Sequence, residues 1–296
     1  MNKHIEDIRD DEVRIIGHAP KPTSPVQEKG RFKLGISIVS AIIVIALGIM
    51  VIVFWPKEKP EDPIGGVYDN NTQIILQENS DLNFGHVIDS TKSYTEKVDT
   101  VINDVVLSIY IPHNATPELM VGRPNPQDKD IILIAQAADI RGDNFKILGA
   151  FVLKGEPLAL GRSKKGFCAI IDGQVTVGVA ENTPMFEDAI EKEGYFFRQF
   201  ALVDNGELVE NVIKNKAMRK ALCSRNGQIF IAVSETDESF HDFAQALVDL
   251  GVENAISLVG SHTAYGWTIG EDGQQAMFGE DIHKYKKENY IFWYKN

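Results

Sequence analysis

The chain has few cysteines, and their spacing does not match a metal site. Only two occur in 296 residues, Cys168 and Cys223, and neither belongs to a C-x-x-C pair or to a Cys/His pattern. The sequence therefore indicates no zinc site. Two states of the cysteines remain open: a disulfide, which an extracytoplasmic location would permit, or two buried free thiols.

Positive charge is also scarce. The chain has 30 Lys and Arg against 42 Asp and Glu, which gives a formal net charge of −12. Residues 1–33 are nearly balanced, so the negative excess lies in the part of the chain that follows. A negative domain repels phosphate backbones and anionic lipid headgroups. The composition therefore argues against nucleic acid as a partner.

Charged residues are absent from residues 34–55, which read LGISIVSAIIVIALGIMVIVFW. A helix needs roughly 20 apolar residues to cross a bilayer. The stretch is too long for the core of a signal peptide, and no A-x-A cleavage site follows it. We predict a transmembrane helix. Arg31 and Lys33 precede it directly, which places the N-terminus in the cytoplasm and the rest of the chain outside, in the periplasm.

Composition divides the remainder of the chain. Residues 1–33 combine prolines and charges without an apolar period, which predicts a disordered cytoplasmic tail. Residues 56–99 read as a linker and an N-terminal extension. Residues 100–296 contain many short apolar strands, few helical patterns and no internal repeat. They predict a single extracytoplasmic α+β domain built on a mixed sheet.

The segment 219–267 has the clearest local pattern. Gln228 to Val233 is β-branched and aromatic, and predicts a strand. A helix should follow, capped by Ser234 or Thr236 and ended by Gly251. Its buried face is predicted from three- and four-residue spacing: Phe240, Phe243, Ala244, Leu247 and Leu250. Next comes a continuous apolar strand, 255–259, and then a polar loop, Gly260 to Thr263.

These residues follow a recognisable order. Arg219 and Ala221, with Lys220 between them, precede the first strand. Leu258 lies in the second strand, and Gly260 and Thr263 lie in the loop. The order resembles the Arg-Thr-Ala and Leu-Asp-Gly-Gly-Gly-Ser segments of the phosphodiester glycosidase domain family, in a variant bacterial, Bacteroides-type branch. The helix between them fits that family too. Three departures fall in the loop: Val259 replaces the aspartate, and Ser261 and His262 replace two glycines. Residues 136–140 likewise replace the family's first small-residue loop.

The resemblance implies a hydrolase that cleaves a sugar-1-phosphodiester, with a glycan or sugar phosphate as its ligand and Arg219 meeting the phosphate. The cofactor stays open, because a metal ion is compatible with this chemistry but no ligand spacing in the sequence supports one. Val259 removes a carboxylate that such cleavage could use, so a second hypothesis is a catalytically altered relative that binds glycan or a partner protein. A third is a membrane-tethered assembly factor that connects two compartments.

Three residues are candidates for catalysis: His262, Arg219 and Ser261. Histidine has a reference pKa near 6.5 and can act as a general acid or base. Arginine matches phosphate geometry, although it also forms structural ion pairs. Four further residues are candidates for substrate binding: Arg198, Thr263, Tyr265 and Trp267. The two aromatic residues either stack on a sugar or anchor the loop to the core.

Carboxylates matter as well, because a glycosidase needs two of them about 5–10 Å apart. Asp139 and Glu235 each follow a predicted strand. Sequence alone does not show whether they approach each other.

Overall fold

The structure, a computed structural model, describes residues 91–280 and 286–296. All of these residues belong to one compact unit. The predicted cytoplasmic tail, 1–33, and the predicted transmembrane helix, 34–55, lie outside them, as does most of the 56–99 extension. Within the described residues, neither helix has the length and apolar character needed to cross a membrane.

The described part of the chain forms seventeen strands and two helices, which confirms the α+β prediction with few helices. The strands are β1 Tyr94–Ile102, β2 Val105–His113, β3 Ala115–Val121, β4 Ile131–Gln136, β5 Ala150–Leu153, β6 Glu156–Leu160, β7 Gly166–Ile171, β8 Gln174–Val179, β9 Tyr195–Gln199, β10 Ala201–Asp204, β11 Glu207–Leu208, β12 Ala217–Arg225, β13 Gln228–Glu238, β14 Asn254–Ser257, β15 Gly266–Ile269, β16 Gln275–Phe278 and β17 Asn289–Lys295. The helices are α1 Met185–Glu191 and α2 Phe240–Asp249.

The strands form three sheets. The first has the order β1-β2-β13-β12-β14-β10-β11, the second β16-β15-β4-β17-β3 and the third β6-β5-β9-β7-β8. Neighbouring strands pair antiparallel, including β12 with both β13 and β14. Every neighbouring pair among the described strands is antiparallel, so the hydrogen-bonded parallel pair that the predicted mixed sheet requires does not occur there. The strands β13 and β14, which α2 connects and β12 separates, run parallel without being neighbours.

The first sheet has apolar side chains on both of its faces, and each face packs into a different core cluster. The largest core cluster takes residues from all three sheets, such as Ile134, Phe197 and Leu222. A second cluster packs the first sheet against the predicted face of α2. The third packs α1 on the third sheet. Alternating apolar residues along the central strands thus bury both faces of the sheet.

The helix α2 has the predicted buried face but a different cap. Ser239 is its N-cap, and its hydroxyl accepts a hydrogen bond of 3.0 Å from the Asp242 N–H. The prediction of Ser234 or Thr236 is wrong because β13 continues as far as Glu238. Gly251 ends the helix as predicted, with a positive φ of 85°.

Both cysteines are free thiols in buried positions. Burial raises the pKa of the Cys168 and Cys223 thiols well above the ordinary value. The second of the two alternatives, a pair of inert buried thiols, therefore describes them.

Candidate functional site

The carboxyl ends of three strands, one from each sheet, adjoin at one place. The Val259 N–H, just beyond β14, donates a 3.3 Å hydrogen bond to the carbonyl of Gln136, which ends β4. Gln199, which ends β9, donates from its side-chain amide to the Ala137 carbonyl at 3.3 Å. Its amide oxygen accepts from the Ser257 hydroxyl, also at 3.3 Å. We call this place the strand-end junction. The Gly260–Thr263 loop leaves it directly.

The loop is held against the start of β12. The Ser261 N–H donates to the Met218 carbonyl at 2.8 Å. A Cβ atom on Gly260 would lie 2.5 Å from that same carbonyl oxygen, so only glycine fits there. Ser261 has a φ of 80°, which L-residues rarely adopt. Its hydroxyl lies 3.0 Å from the Thr263 hydroxyl.

His262 projects from this loop and meets a carboxylate from β13. Its Nε2 atom lies 3.2 Å from Oδ1 of Asp237, and the two side chains are 65% and 54% exposed. The sequence prediction missed Asp237, which reads as one of the acids before α2. The partnership depends on the pairing of β12 with β13, and local sequence does not carry that information.

Arg219 lies beside this pair with its guanidinium facing backbone atoms. Its Nε atom donates to the Glu238 carbonyl at 2.7 Å, and an Nη atom donates to the Asn215 carbonyl. The guanidinium carbon lies 4.2 Å from the centre of the Phe240 ring. Burial lowers the pKa of Arg219, while Asp237 acts to raise it. The residue therefore contributes positive charge near Asp237 and braces the segment that carries it.

The structure thus brings together four of the seven predicted site residues: Arg219, Ser261, His262 and Thr263. Arg198 is not among them. It is buried in the third sheet, and its guanidinium donates to the backbone carbonyls of Lys164, Lys165, Ala180 and Glu181 at 2.7–3.3 Å. Alternation along β9 places Arg198 and Gln199 on opposite faces, and Gln199 is the residue that reaches the strand-end junction.

Tyr265 and Trp267 lie in the largest core cluster, where they are almost completely buried. Their rings meet edge to face with centroids 5.8 Å apart. The Trp267 indole N–H donates to the Ile131 carbonyl at 3.2 Å. A sugar needs an open ring face on which to stack, so the positions favour the other alternative, that these rings anchor the loop to the core.

A polar cluster at the strand-end junction contains Asp139, one of the two carboxylates that the sequence singled out, together with Lys164 and Gln199, which the sequence prediction missed. The Lys164 ammonium, on a side chain that is 2% exposed, lies 2.5 Å from Oδ2 of Asp139 and 2.8 Å from the Gln199 amide oxygen. Asp139 keeps 35% of its side-chain surface exposed. Lys164 belongs to a polar loop, Gly161 to Lys165, in which nothing in the sequence marks one lysine as buried.

A second buried lysine lies beneath the Gly260–Thr263 loop. Lys220 is 1% exposed, and its ammonium lies 2.5 Å from the Ala264 carbonyl and 4.7 Å from the centre of the Phe278 ring. Among the described residues no carboxylate forms an ion pair with it. Burial lowers the pKa of Lys220 to about 7. Within the same residues, no group of three or more His, Cys, Asp and Glu side chains could hold a metal ion.

Comparison with known proteins gives a likeness in fold. No known protein family and no curated protein matches the sequence. Among solved structures, the chain is similar to the catalytic domain of zebrafish N-acetylglucosamine-1-phosphodiester alpha-N-acetylglucosaminidase, solved in a form auto-inhibited by its pro-peptide. The TM-score is 0.50 and the identity 13%, over 71% of this chain and 85% of that chain.

The chain is also similar to a hypothetical protein from Synechocystis, with a TM-score of 0.52 and 13% identity. That match covers 68% of this chain and 62% of the other. At this level of identity the likeness concerns the fold alone. The described residues therefore have a fold like that of a phosphodiester glycosidase catalytic domain.

Proposed function

We propose that this chain is a hydrolase of sugar-1-phosphodiesters, anchored by residues 34–55 with its C-terminal domain in the periplasm. One observation carries the proposal: in a domain with this fold, His262, on the loop that leaves the strand-end junction, forms an accessible pair with Asp237 of β13. Its ligand would be a glycan or another molecule that carries a sugar phosphate.

The pair suits general acid–base chemistry. Asp237 holds the Nε2 side of the imidazole ring, which leaves Nδ1 to accept a proton. In hydrolysis, water attacks the anomeric carbon and passes a proton to Nδ1. The bond between that carbon and the phosphate oxygen breaks, and its electron pair leaves with the phosphate monoester. The phosphate carries the negative charge away, so the reaction needs less help from a general acid than ordinary glycoside cleavage does.

Arg219 would act on the phosphate through its charge. Two of its donors already face backbone carbonyls, so the bidentate contact expected from the sequence is not the arrangement we propose. A positive group near the leaving phosphate still stabilises the transition state electrostatically.

A second candidate function is binding without turnover, and Val259 favours it. This apolar side chain stands at the exit of β14, and the resemblance places an aspartate there. A domain that kept the loop but lost a carboxylate would recognise a sugar phosphate, or a partner that carries one, without cleaving it.

One experiment separates the two functions. The purified full-length protein is incubated with a panel of sugar-1-phosphodiesters, and release of free sugar and binding are both measured. We expect turnover that falls about 100-fold in His262→Gln and in Asp237→Asn. His241→Gln is the matched control, because His241 forms a similar exposed pair with Glu210 at 2.8 Å on α2. Binding without turnover across the panel would establish the second function and exclude the first for those substrates.

A further inference from the structure

Asp139 has an unusual combination of a buried partner and an open surface. Its Oδ2 atom lies 2.5 Å from the Lys164 ammonium, which is almost completely buried, while about a third of the Asp139 side chain remains exposed. No other hydrogen bond to this carboxylate forms within the described residues. One carboxylate oxygen is therefore fixed, and the other has no protein partner there.

A buried ion pair of this kind contributes little net stability, so a purely structural role does not explain it well. Burying an ammonium group carries a large desolvation penalty, and replacing a buried ion pair by apolar residues is often neutral or stabilising. The contacts of the Lys164 ammonium include the oxygens of Asp139 and Gln199 and the Phe200 ring, whose centre is 4.6 Å away. Through Lys164, these contacts fix the direction of the Asp139 carboxylate.

The carboxylate also lies at the strand-end junction, from which the Gly260–Thr263 loop leaves. Gln199 connects Lys164 to Ser257, the last residue of β14, through its amide oxygen. Asp139 is also three positions after Gln136 in the chain, and the Gln136 carbonyl accepts a hydrogen bond from the Val259 N–H. Two short chains of contacts therefore connect Asp139 to the strand that delivers the Gly260–Thr263 loop.

We infer that Asp139 is a catalytic carboxylate of this site, with Lys164 and Gln199 as its positioning residues. The inference rests on the proposed hydrolase function and adds to it a group that acts on the sugar. Positive charge develops on the anomeric carbon as its bond to the phosphate oxygen breaks, and a fixed anion stabilises that charge. His262 then handles the proton of the attacking water, and Asp139 makes no covalent bond.

The test uses the purified full-length protein and the substrate that gives the highest turnover in the sugar-1-phosphodiester panel. Asp139→Asn keeps the shape of the side chain and removes its charge. We expect kcat to fall about 100-fold while KM changes less than about 3-fold, because the interaction forms mainly in the transition state. The matched control is Asp143→Asn, which removes an exposed carboxylate from the same connection between β4 and β5, where it pairs with Arg141. It should leave both constants unchanged.

Loss of folding is separated from loss of catalysis by Asp139→Glu. This variant keeps a negative charge beside Lys164 but moves the carboxylate by one methylene group. We expect a melting temperature close to that of the wild type and a kcat reduced at least 10-fold. Wild-type kcat in a folded Asp139→Asn variant would overturn the inference and leave the hydrolase proposal standing. Absence of turnover in the wild-type protein would overturn both.

Discussion

His262 and Asp237 lie 25 positions apart in the sequence, yet Nε2 of the histidine is 3.2 Å from Oδ1 of the aspartate. The contact exists because β12 and β13 pair, and because the loop that carries His262 is tied to Met218 at the start of β12. Two strands and a loop therefore assemble an exposed histidine–carboxylate pair on the first sheet.

Because this pair is exposed, we expect substitutions in it to reduce activity while leaving stability almost unchanged. Exposed ion pairs contribute about 0–1 kcal/mol to stability. We expect Asp237→Asn and His262→Gln each to change the free energy of unfolding by less than about 1 kcal/mol, measured by urea denaturation. The double variant should be no less active than the weaker single variant, since the two side chains act as one unit. Additive losses of activity would show that they act independently.

The close approach of Gly260 to β12 predicts that a side chain at this position destabilises the protein. In Gly260→Ala the new Cβ would lie 2.5 Å from the Met218 carbonyl oxygen, a backbone atom that cannot rotate away. We expect the loop to be displaced and the free energy of unfolding to fall by about 2–4 kcal/mol.

Gly142→Ala is the matched control for Gly260→Ala. A Cβ at position 142 meets no atom within 4 Å, so this change should be neutral. Thermal unfolding of the two variants side by side tests the prediction, and equal melting temperatures would contradict it.

The sequence predicts elements well where one period dominates. The face of α2 follows from the spacing of Phe240, Phe243 and Leu247, because a helix repeats every 3.6 residues whatever it packs against. The cap was misplaced because both Ser234 and Ser239 fit the local rule. Only the length of β13 decides between them, and strand length depends on pairing with β12.

Site residues were harder to predict because each depends on a partner distant in sequence. Alternation places Arg198 opposite Phe197, but not in front of the carbonyls of Ala180 and Glu181. Trp267 is buried because β15 lies between β16 and β4. Asp139 and Lys164 are paired across 25 positions, and the position of Asp139 after a strand does not reveal which lysine meets it.

Replacing the buried hydroxyl of Thr268, on β15, should stabilise the protein. The Thr268 hydroxyl has no hydrogen-bond partner in the described residues. An unsatisfied buried hydroxyl costs about 1–3 kcal/mol, and a methyl group of the same size does not. We expect Thr268→Val to raise the free energy of unfolding by about 1 kcal/mol, measured by urea denaturation.

The same substitution at Thr95 supplies the comparison. Its buried hydroxyl donates to the Ile132 carbonyl at 2.8 Å. Thr95→Val should therefore lower the free energy of unfolding by about 1 kcal/mol, because it removes a hydrogen bond to a buried carbonyl. Two changes of the same sign would show that Thr268 has a partner after all, such as a bound water.

Lys220 predicts an unusual dependence of stability on pH. Its pKa is about 7 in the folded protein and 10.5 in the unfolded chain, because burial disfavours the charged form. Between these values the unfolded chain binds a proton that the folded protein has released. The free energy of unfolding should therefore increase as pH rises from 7 towards 10.5, by up to about 1.4 kcal/mol per pH unit. Below pH 7 both states are protonated and the contribution is constant.

Lys220→Met removes this titration and tests the sign. The free energy of unfolding of the wild type, minus that of the variant, should rise between pH 7 and 9.5 in urea denaturation series. Other groups titrate alike in both proteins and cancel in the difference. The variant also leaves the Ala264 carbonyl without its donor, which shifts the difference by a constant amount and leaves its slope unchanged. Lys165→Met, at an exposed position, should give a flat difference. A flat difference for Lys220→Met as well would mean that the buried ammonium keeps its ordinary pKa, and that the carbonyl and the Phe278 ring fully replace its water.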